Sequence, residues 1–416
     1  MSLELTQVKL GFIALSDAAP LIVAKVRGAF EAEGLDVELV REASWANIRD
    51  KIAAGLLDGA HMLGPMAVAQ SLGLGGERTP IAAPMALNLN GSAITVSRAV
   101  ADAMRGYDAE GMAQRPRTAA GLKALVEQRR RQGLPPLTFA AVFPYSIHNY
   151  ELRYWLAAGG VHPDQDVRLT IVPPPRMVEK LAAGEIDGFC AGAPWNGLAV
   201  TRGLGEITLY ASEWWGAAPD KVFGVTAEWA RRNPQTLLAL VRALLKAAAW
   251  ADEPQNRPEL ARLLAGSDYV GAPEAVLRLS LTSSPPYAPG DPAGASLDYI
   301  VYHRYAASFP WRSHAVWFLS QMIRWGQAPR GVSAAMAAAV YRPDIFRLAA
   351  AALGEPAPLT DFKREGLHAA PWILNEASGP VPMAADAFLD GAVFDPADPL
   401  AYVDGFALGR TAKAGA

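Results

Sequence analysis

The run Lys51-Ile-Ala-Ala-Gly-Leu-Leu-Asp-Gly-Ala-His-Met-Leu-Gly-Pro65 returns 129 positions later as Lys180-Leu-Ala-Ala-Gly-Glu-Ile-Asp-Gly-Phe-Cys-Ala-Gly-Ala-Pro194, with seven of fifteen positions identical. A period this long indicates two copies of one domain-sized α/β unit rather than a solenoid of short repeats. Two similar lobes create a cleft, and clefts between lobes are where ligands bind.

Around this repeat the hydrophobic pattern alternates in the same order twice. The first copy reads as strand 8–15, helix 20–33, strand 36–40, helix 45–55 and strand 58–63; the second as strand 137–142, helix 149–158, strand 166–172, helix 176–184 and strand 187–191. Alternation of this kind predicts doubly wound α/β lobes with right-handed crossovers. Gly34 and Gly160 follow the first helices, and Gly55 and Gly184 end the second ones, as left-handed C-caps do. The expected organisation is lobe 1 over 1–97, an insertion or crossover over 98–136, lobe 2 over 137–225, helical segments completing the lobes over 226–350, and a wrapping tail over 351–416. Within the insertion, Arg105 to Arg117 reads as surface chain.

A length of 416 residues suits two domains, and 51% hydrophobic against 19% charged residues supplies buried cores. A net charge of -3 gives no concentrated basic surface for nucleic acid or an anionic membrane, and Arg129-Arg130-Arg131 reads as a solvated helix end. Cys190 is the only cysteine, which excludes an intrachain disulfide and a zinc site built on several thiolates. No apolar stretch reaches the roughly 18 to 20 residues of a membrane-spanning helix. An apolar strand pattern starts at Val8, so the expectation is a cytoplasmic protein, with a periplasmic one whose leader was removed as the alternative.

Ligands of open α/β sheets gather beyond the C-terminal strand ends. Here those loops hold Ser16 to Pro20, Ala43 to Trp45, Gly64 to Met66, Phe143 to His148, Pro173 to Pro175 and Ala193 to Asn196. Ser16 or Asp17 before Pro20 is a plausible helix start, and Ser44 and Ser146 are plausible caps. Helix N-termini, the Trp45 indole and His148 offer donors with few carboxylates among them, a lining that favours a small oxyanion. Asp17 reads as a helix cap rather than a base, and His61 and Cys190 as packing. There is no phosphate loop, metal-spaced histidine pair or Gly-x-Ser-x-Gly elbow, so neither enzyme activity nor a metal or cofactor is expected.

The segments Leu15 to Leu21, Ser44 to Asp50, Asp58 to Met66, Leu89 to Thr95, Tyr154 to Gly160, Val172 to Pro175, Phe189 to Asn196 and Phe394 to Tyr402 carry a family likeness. The chain resembles the nitrate and bicarbonate substrate-binding proteins of ABC transporters over nearly its whole length. The resemblance implies a two-lobed periplasmic-binding-protein-like fold of type II, with parallel or mixed sheets, a helical C-terminal portion and no catalysis. The Phe143 to Tyr150 segment is most similar to cytoplasmic nitrate/nitrite sensors. That likeness implies an antiterminator protein as partner, with an ABC permease as the alternative.

Residue by residue, the resemblance implies that Trp45, the backbone N–H of Ala46, His148 and Lys221 hold nitrate or nitrite, with backbone groups near Asp17 and Ser92 completing the cage. The transporter members carry glutamine where this chain has Ser92 and glutamate where it has Ala193, so the pocket polarity differs. A related fold serves thiamin-pyrimidine synthesis, but that chemistry resembles a cysteine-rich site, which a single cysteine does not provide.

Overall fold

The computed structural model describes residues 2–409. In the first copy β1 (Gln7–Ile13), β2 (Asp36–Glu42), β3 (Gly59–Leu63) and β4 (Ile81–Ala86) alternate with helices Ala19–Val26, Trp45–Ala53 and Gly64–Leu72. A short β5 (Leu89–Asn90) leads into β6 (Ser92–Ser97). The second copy supplies β7 (Thr138–Ala141), β8 (Arg168–Ile171), β9 (Gly188–Gly192) and β10 (Gly205–Tyr210), with helices Ile147–Ala158, Met177–Ala182 and Trp195–Thr201, before β11 (Lys221–Thr226).

These strands form two mixed five-stranded sheets of the same topology, β2-β1-β3-β11-β4 and β8-β7-β9-β6-β10. In each, three strands of the repeat run parallel, and one strand from the other half of the chain is inserted antiparallel. The ranges 1–97 and 137–225 expected from sequence keep β6 with the first lobe and β11 with the second; the sheets exchange these two strands. The physical reason is that Ala93 to Val96 and Val222 to Val225 are apolar or small and buried on both faces. Such runs fit the centre of either sheet, and periodicity does not say which.

The exchange brings the chain between the lobes twice, and the two crossings hold each other. Leu87 N–H donates to Lys221 O (2.8 Å), and Asn90 N–H donates to Ala218 O (2.7 Å). Asn88 Oδ1 accepts from Lys221 N–H (3.3 Å), and Asn90 Oδ1 from Ala218 N–H (3.0 Å). Further contacts tie lobe to lobe: Ser16 N–H to Ala193 O (2.9 Å), and the Trp195 indole to Ala14 O (3.3 Å).

Other elements depart from the sequence pattern in specific ways. The helix expected over 20–33 breaks at Gly28, whose φ of 72° ends Ala19–Val26 before the short helix Ala29–Ala32 begins. Arg105 to Arg117 is not simple surface chain. Arg117 is buried and donates to Met112 O (2.7 Å) and Ile207 O (3.2 Å), and Arg105 pairs with buried Glu206 (2.7 Å). The long helix Pro234–Asp252 packs on Ala19–Val26. Strand β12 (Ile300–Val301) pairs with β5, and β13 (Trp372–Leu374) with β14 (Val381–Met383). The tail does more than wrap: Phe388 packs on Trp215 (4.6 Å between ring centroids), and Phe394 and Tyr402 are buried. Positions 410–416 of the tail lie outside the described residues. Among the described residues no helix is long and apolar enough to cross a membrane.

Candidate functional site

The two crossings and the loops after β1 and β2 converge on one buried group of charges. Asp17 sits in the single 3-10 turn Ser16–Ala18 that follows β1. Neither it nor Ser16 caps the next helix, against expectation, because the 3-10 turn runs directly into that helix. The Asp17 carboxylate instead faces Lys221 at the start of β11: Lys221 Nζ donates to Asp17 Oδ2 (2.8 Å) and to Asp220 Oδ2 (2.6 Å), all three residues being buried.

His61, read as packing, belongs to the same group. Ile13 N–H donates to its Nδ1 (3.4 Å), which leaves the ring proton on Nε2, 2.8 Å from Asp17 Oδ1. Its ring also meets Trp45 edge-on at 5.2 Å. Burial depresses the His61 pKa against the pull of Asp17, so the contact is one between a neutral imidazole and a carboxylate.

Trp45 and His148 enter from capped helix starts, as expected. Ser44 Oγ accepts from Asn47 N–H (3.2 Å) at the head of Trp45–Ala53, and Ser146 Oγ accepts from Asn149 N–H (3.1 Å) at the head of Ile147–Ala158. Capping orients the first turn and leaves the N–H groups of Trp45 and Ala46 without a carbonyl of their own helix. The Trp45 ring lies 5.5 Å from Lys221 Nζ, and its buried indole Nε1 has no partner. His148 Nε2 lies 3.8 Å from Asp220 Oδ2, and both its buried ring nitrogens lack a hydrogen-bond partner. Burial, with Lys221 nearby, holds the His148 pKa well below its usual value, so it is neutral and carries one N–H.

The side-chain hydroxyl of Ser92, at the start of β6, donates to Glu151 Oε2 (2.7 Å). It stands in register with Gly192 of β9. A Cβ at Gly192 would lie 3.1 Å from Asp17 Oδ2 and 3.6 Å from His148 Nε2, so the second lobe approaches these groups through bare backbone.

The expected site residues Asp17, Trp45, His148 and Lys221 therefore converge, with Ala46 beside Trp45, and Ser92 reaches the group through Glu151 and Gly192. His61, Asp220 and Glu151 were missed. Asp220 and Glu151 correct the expectation of a lining with few carboxylates, which considered only the six loops that follow the strands of the two copies. Lys221 is gripped by two carboxylates, and burial, which by itself would lower its pKa, is outweighed by Asp17 and Asp220. Burial also pushes Asp220 up to about 7, whereas for Asp17 burial is outweighed by Lys221 and His61 and the carboxylate is held low. Two of the three ammonium protons are thereby engaged and the third is left over. A fixed cation, an indole N–H, a neutral imidazole N–H and helix-start backbone N–H groups form a set of donors suited to a small oxyanion.

Three comparisons bear on this geometry. Residues 2–265 match the model of the NMT1-like family. Over 98% of its length the chain is 37% identical to the nitrate import ATP-binding protein NrtC of Synechocystis sp., but it spans only 56% of that protein. Over 97% of its length it is 33% identical to the nitrate/nitrite binding protein NrtA of Synechococcus elongatus, spanning 86% of that relative. The crystal structure of the periplasmic nitrate-binding protein NrtA from Synechocystis PCC 6803 matches with a TM-score of 0.85 at 32% identity, covering 98% of this chain and 100% of that one. These matches do not single out the cytoplasmic sensors. The NrtA relatives are binding proteins rather than enzymes, and this chain has their periplasmic-binding fold over 98% of its length. It belongs to the NMT1-like family, within the nitrate and bicarbonate transporter substrate-binding proteins that include NrtA.

Proposed function

We propose that the chain binds nitrate or nitrite between its lobes, as the substrate-binding component of an ABC importer. The observation that carries this reading is the buried set of unsatisfied donors beside a fixed cation: Trp45 Nε1 and the His148 ring next to Lys221. A buried donor without a partner costs about 1–3 kcal/mol, which an anion accepting its hydrogen bond would remove. Nitrate and nitrite are acceptor-only anions, matching donors that face inward from several elements. In this role Trp45, the Ala46 N–H, His148 and Lys221 contact the anion, while Asp17 and Asp220 position the ammonium group.

The importer role is supported by the relatives, among them a nitrate import ATP-binding protein and a periplasmic nitrate-binding protein. The sensor alternative, with an antiterminator as partner, rests on sequence resemblance alone. Titration calorimetry with nitrate, nitrite and bicarbonate tests the ligand: one-to-one binding of nitrate or nitrite supports the reading, and heat from bicarbonate alone refutes it. Pull-down from lysate with and without nitrate tests the role, the importer reading predicting retention of transporter subunits.

A further inference from the structure

Glu151 lies three residues after His148 on helix Ile147–Ala158, so both side chains leave the same face of that helix. It is fully buried. Its Oε2 accepts two hydrogen bonds, from Ser92 Oγ (2.7 Å) and from Cys190 Sγ (3.4 Å), while its Oε1 is buried without any partner. The groups around it come from every neighbouring element: Ser92 of β6, Cys190 of β9, Asp220 and Lys221 at the start of β11, and Tyr299, whose own buried hydroxyl is unpartnered. None of these gives Glu151 a salt bridge, since Lys221 Nζ is held by Asp17 and Asp220.

A buried carboxyl without a cation is strongly disfavoured in its charged form. Burial pushes the Glu151 pKa up to about 8, against the Ser92 and Cys190 hydrogen bonds. The acid is therefore neutral around neutral pH and carries one O–H. Oε2 already accepts from two donors, which makes it the carbonyl oxygen. Burial also raises the Cys190 pKa, which keeps its thiol protonated and donating. The Glu151 proton then sits on Oε1, a buried donor with nothing to donate to.

We propose that Glu151 is a ligand-binding residue of the anion site, its neutral carboxyl donating from Oε1 to the bound oxyanion, so that anion binding is coupled to a proton. This rests on the oxyanion-binding reading above. The repeat supports it by contrast. His61 and Cys190 hold equivalent positions; the carboxylate facing His61 fixes Lys221, whereas the carboxyl facing Cys190 has no cation and keeps one buried oxygen without a partner. A neutral acid here also does for the anion what the short Ser92 hydroxyl, turned toward Glu151, does not.

The test is nitrate calorimetry across pH on the wild-type chain, on Glu151→Gln and on Glu151→Leu. The neutral form binds, so above about pH 8 the wild-type site must take up a proton on binding, and its affinity falls by up to about tenfold per pH unit from this group. Asp220 titrates nearby in all three proteins, so the difference between profiles isolates Glu151. Glu151→Gln keeps a donor of similar size and does not titrate. Its affinity near about pH 6.5 should stay within roughly fivefold of wild type, with a profile above about pH 8 shallower by about one unit of slope. Glu151→Leu should bind at least about tenfold more weakly. Parallel wild-type and Glu151→Gln profiles, or a Glu151→Leu chain that binds as wild type does, overturn the inference while leaving nitrate binding intact. No nitrate or nitrite heat from the wild-type chain at any pH overturns the oxyanion reading itself.

Discussion

Lys221 is a buried cation shared by two carboxylates, and the proposed function gives the same side chain a ligand contact as well. Lys221→Met would leave Asp17 and Asp220 facing each other without a counter-charge. The expected outcome is a stability loss of about 3–5 kcal/mol in denaturant unfolding, as for a broken buried ion pair. Nitrate binding should weaken by about 100-fold or more in calorimetry, from loss of a charged hydrogen bond. Glu365 gives a pH test away from the site. Burial would raise its pKa, but Lys363 and His314 outweigh this and lower it from 4.5 to about 2. A depressed pKa stabilises the fold above the unfolded value, and the contribution is lost as pH falls from about 4.5 toward about 2. Glu365→Gln should therefore unfold at lower temperature than wild type at neutral pH, and the gap should narrow steadily as the acid limit is approached. At this scale Trp45 and His148 were legible from their places at helix starts, whereas Lys221 was legible only through the family resemblance. His61, Asp220 and Glu151 were not: a histidine inside an apolar strand and a glutamate inside a helix give no sign of facing a cleft. The signals available were the pairing of His61 with Cys190 in the repeat and the position of Asp220 next to Lys221.

Helix starts aim the site. Ser44 and Ser146 each satisfy an N–H in the first turn, and Trp45 and His148 follow one and two positions later. Ser44→Ala should cost about 1 kcal/mol of stability, the usual value of an N-cap. It should also weaken nitrate binding measurably, since Trp45 and the Ala46 N–H lose their fixed orientation; unchanged calorimetry would show that the cap does not position them. Both helices were legible from apolar spacing and a preceding serine. Gly55 and Gly184 end their helices with the same φ of 68°, as the repeat implies. The break at Gly28 was not legible, because Pro20 to Glu33 keeps helical spacing across it. The 3-10 turn at Ser16–Ala18 also defeated the capping rule, since it places Asp17 inside a turn, where its carboxylate meets Lys221.

Two copies of one sheet, joined by an exchange of strands, frame the described part of the molecule. Ser92 begins one crossing strand and Lys221 the other, so site residues sit where the lobes are connected. Any change in lobe angle must pass through the clamp of Asn88 and Asn90 on Ala218 and Lys221. If nitrate favours the closed arrangement, small-angle scattering should show the radius of gyration falling on its addition, and Lys221→Met should not respond. The duplication was legible at once, and with it the two matching sheets. The exchange was not, because two doubly buried apolar strands are interchangeable by pattern and only their pairing separates them. Occupation of the donors around Lys221 by an oxyanion can be seen directly in a crystal structure of the chain grown with nitrate. Planar density is expected within about 3 Å of Lys221 Nζ, Trp45 Nε1 and a His148 nitrogen, with Glu151 Oε1 in contact. Nitrate bound elsewhere while those donors remain unpaired would contradict it.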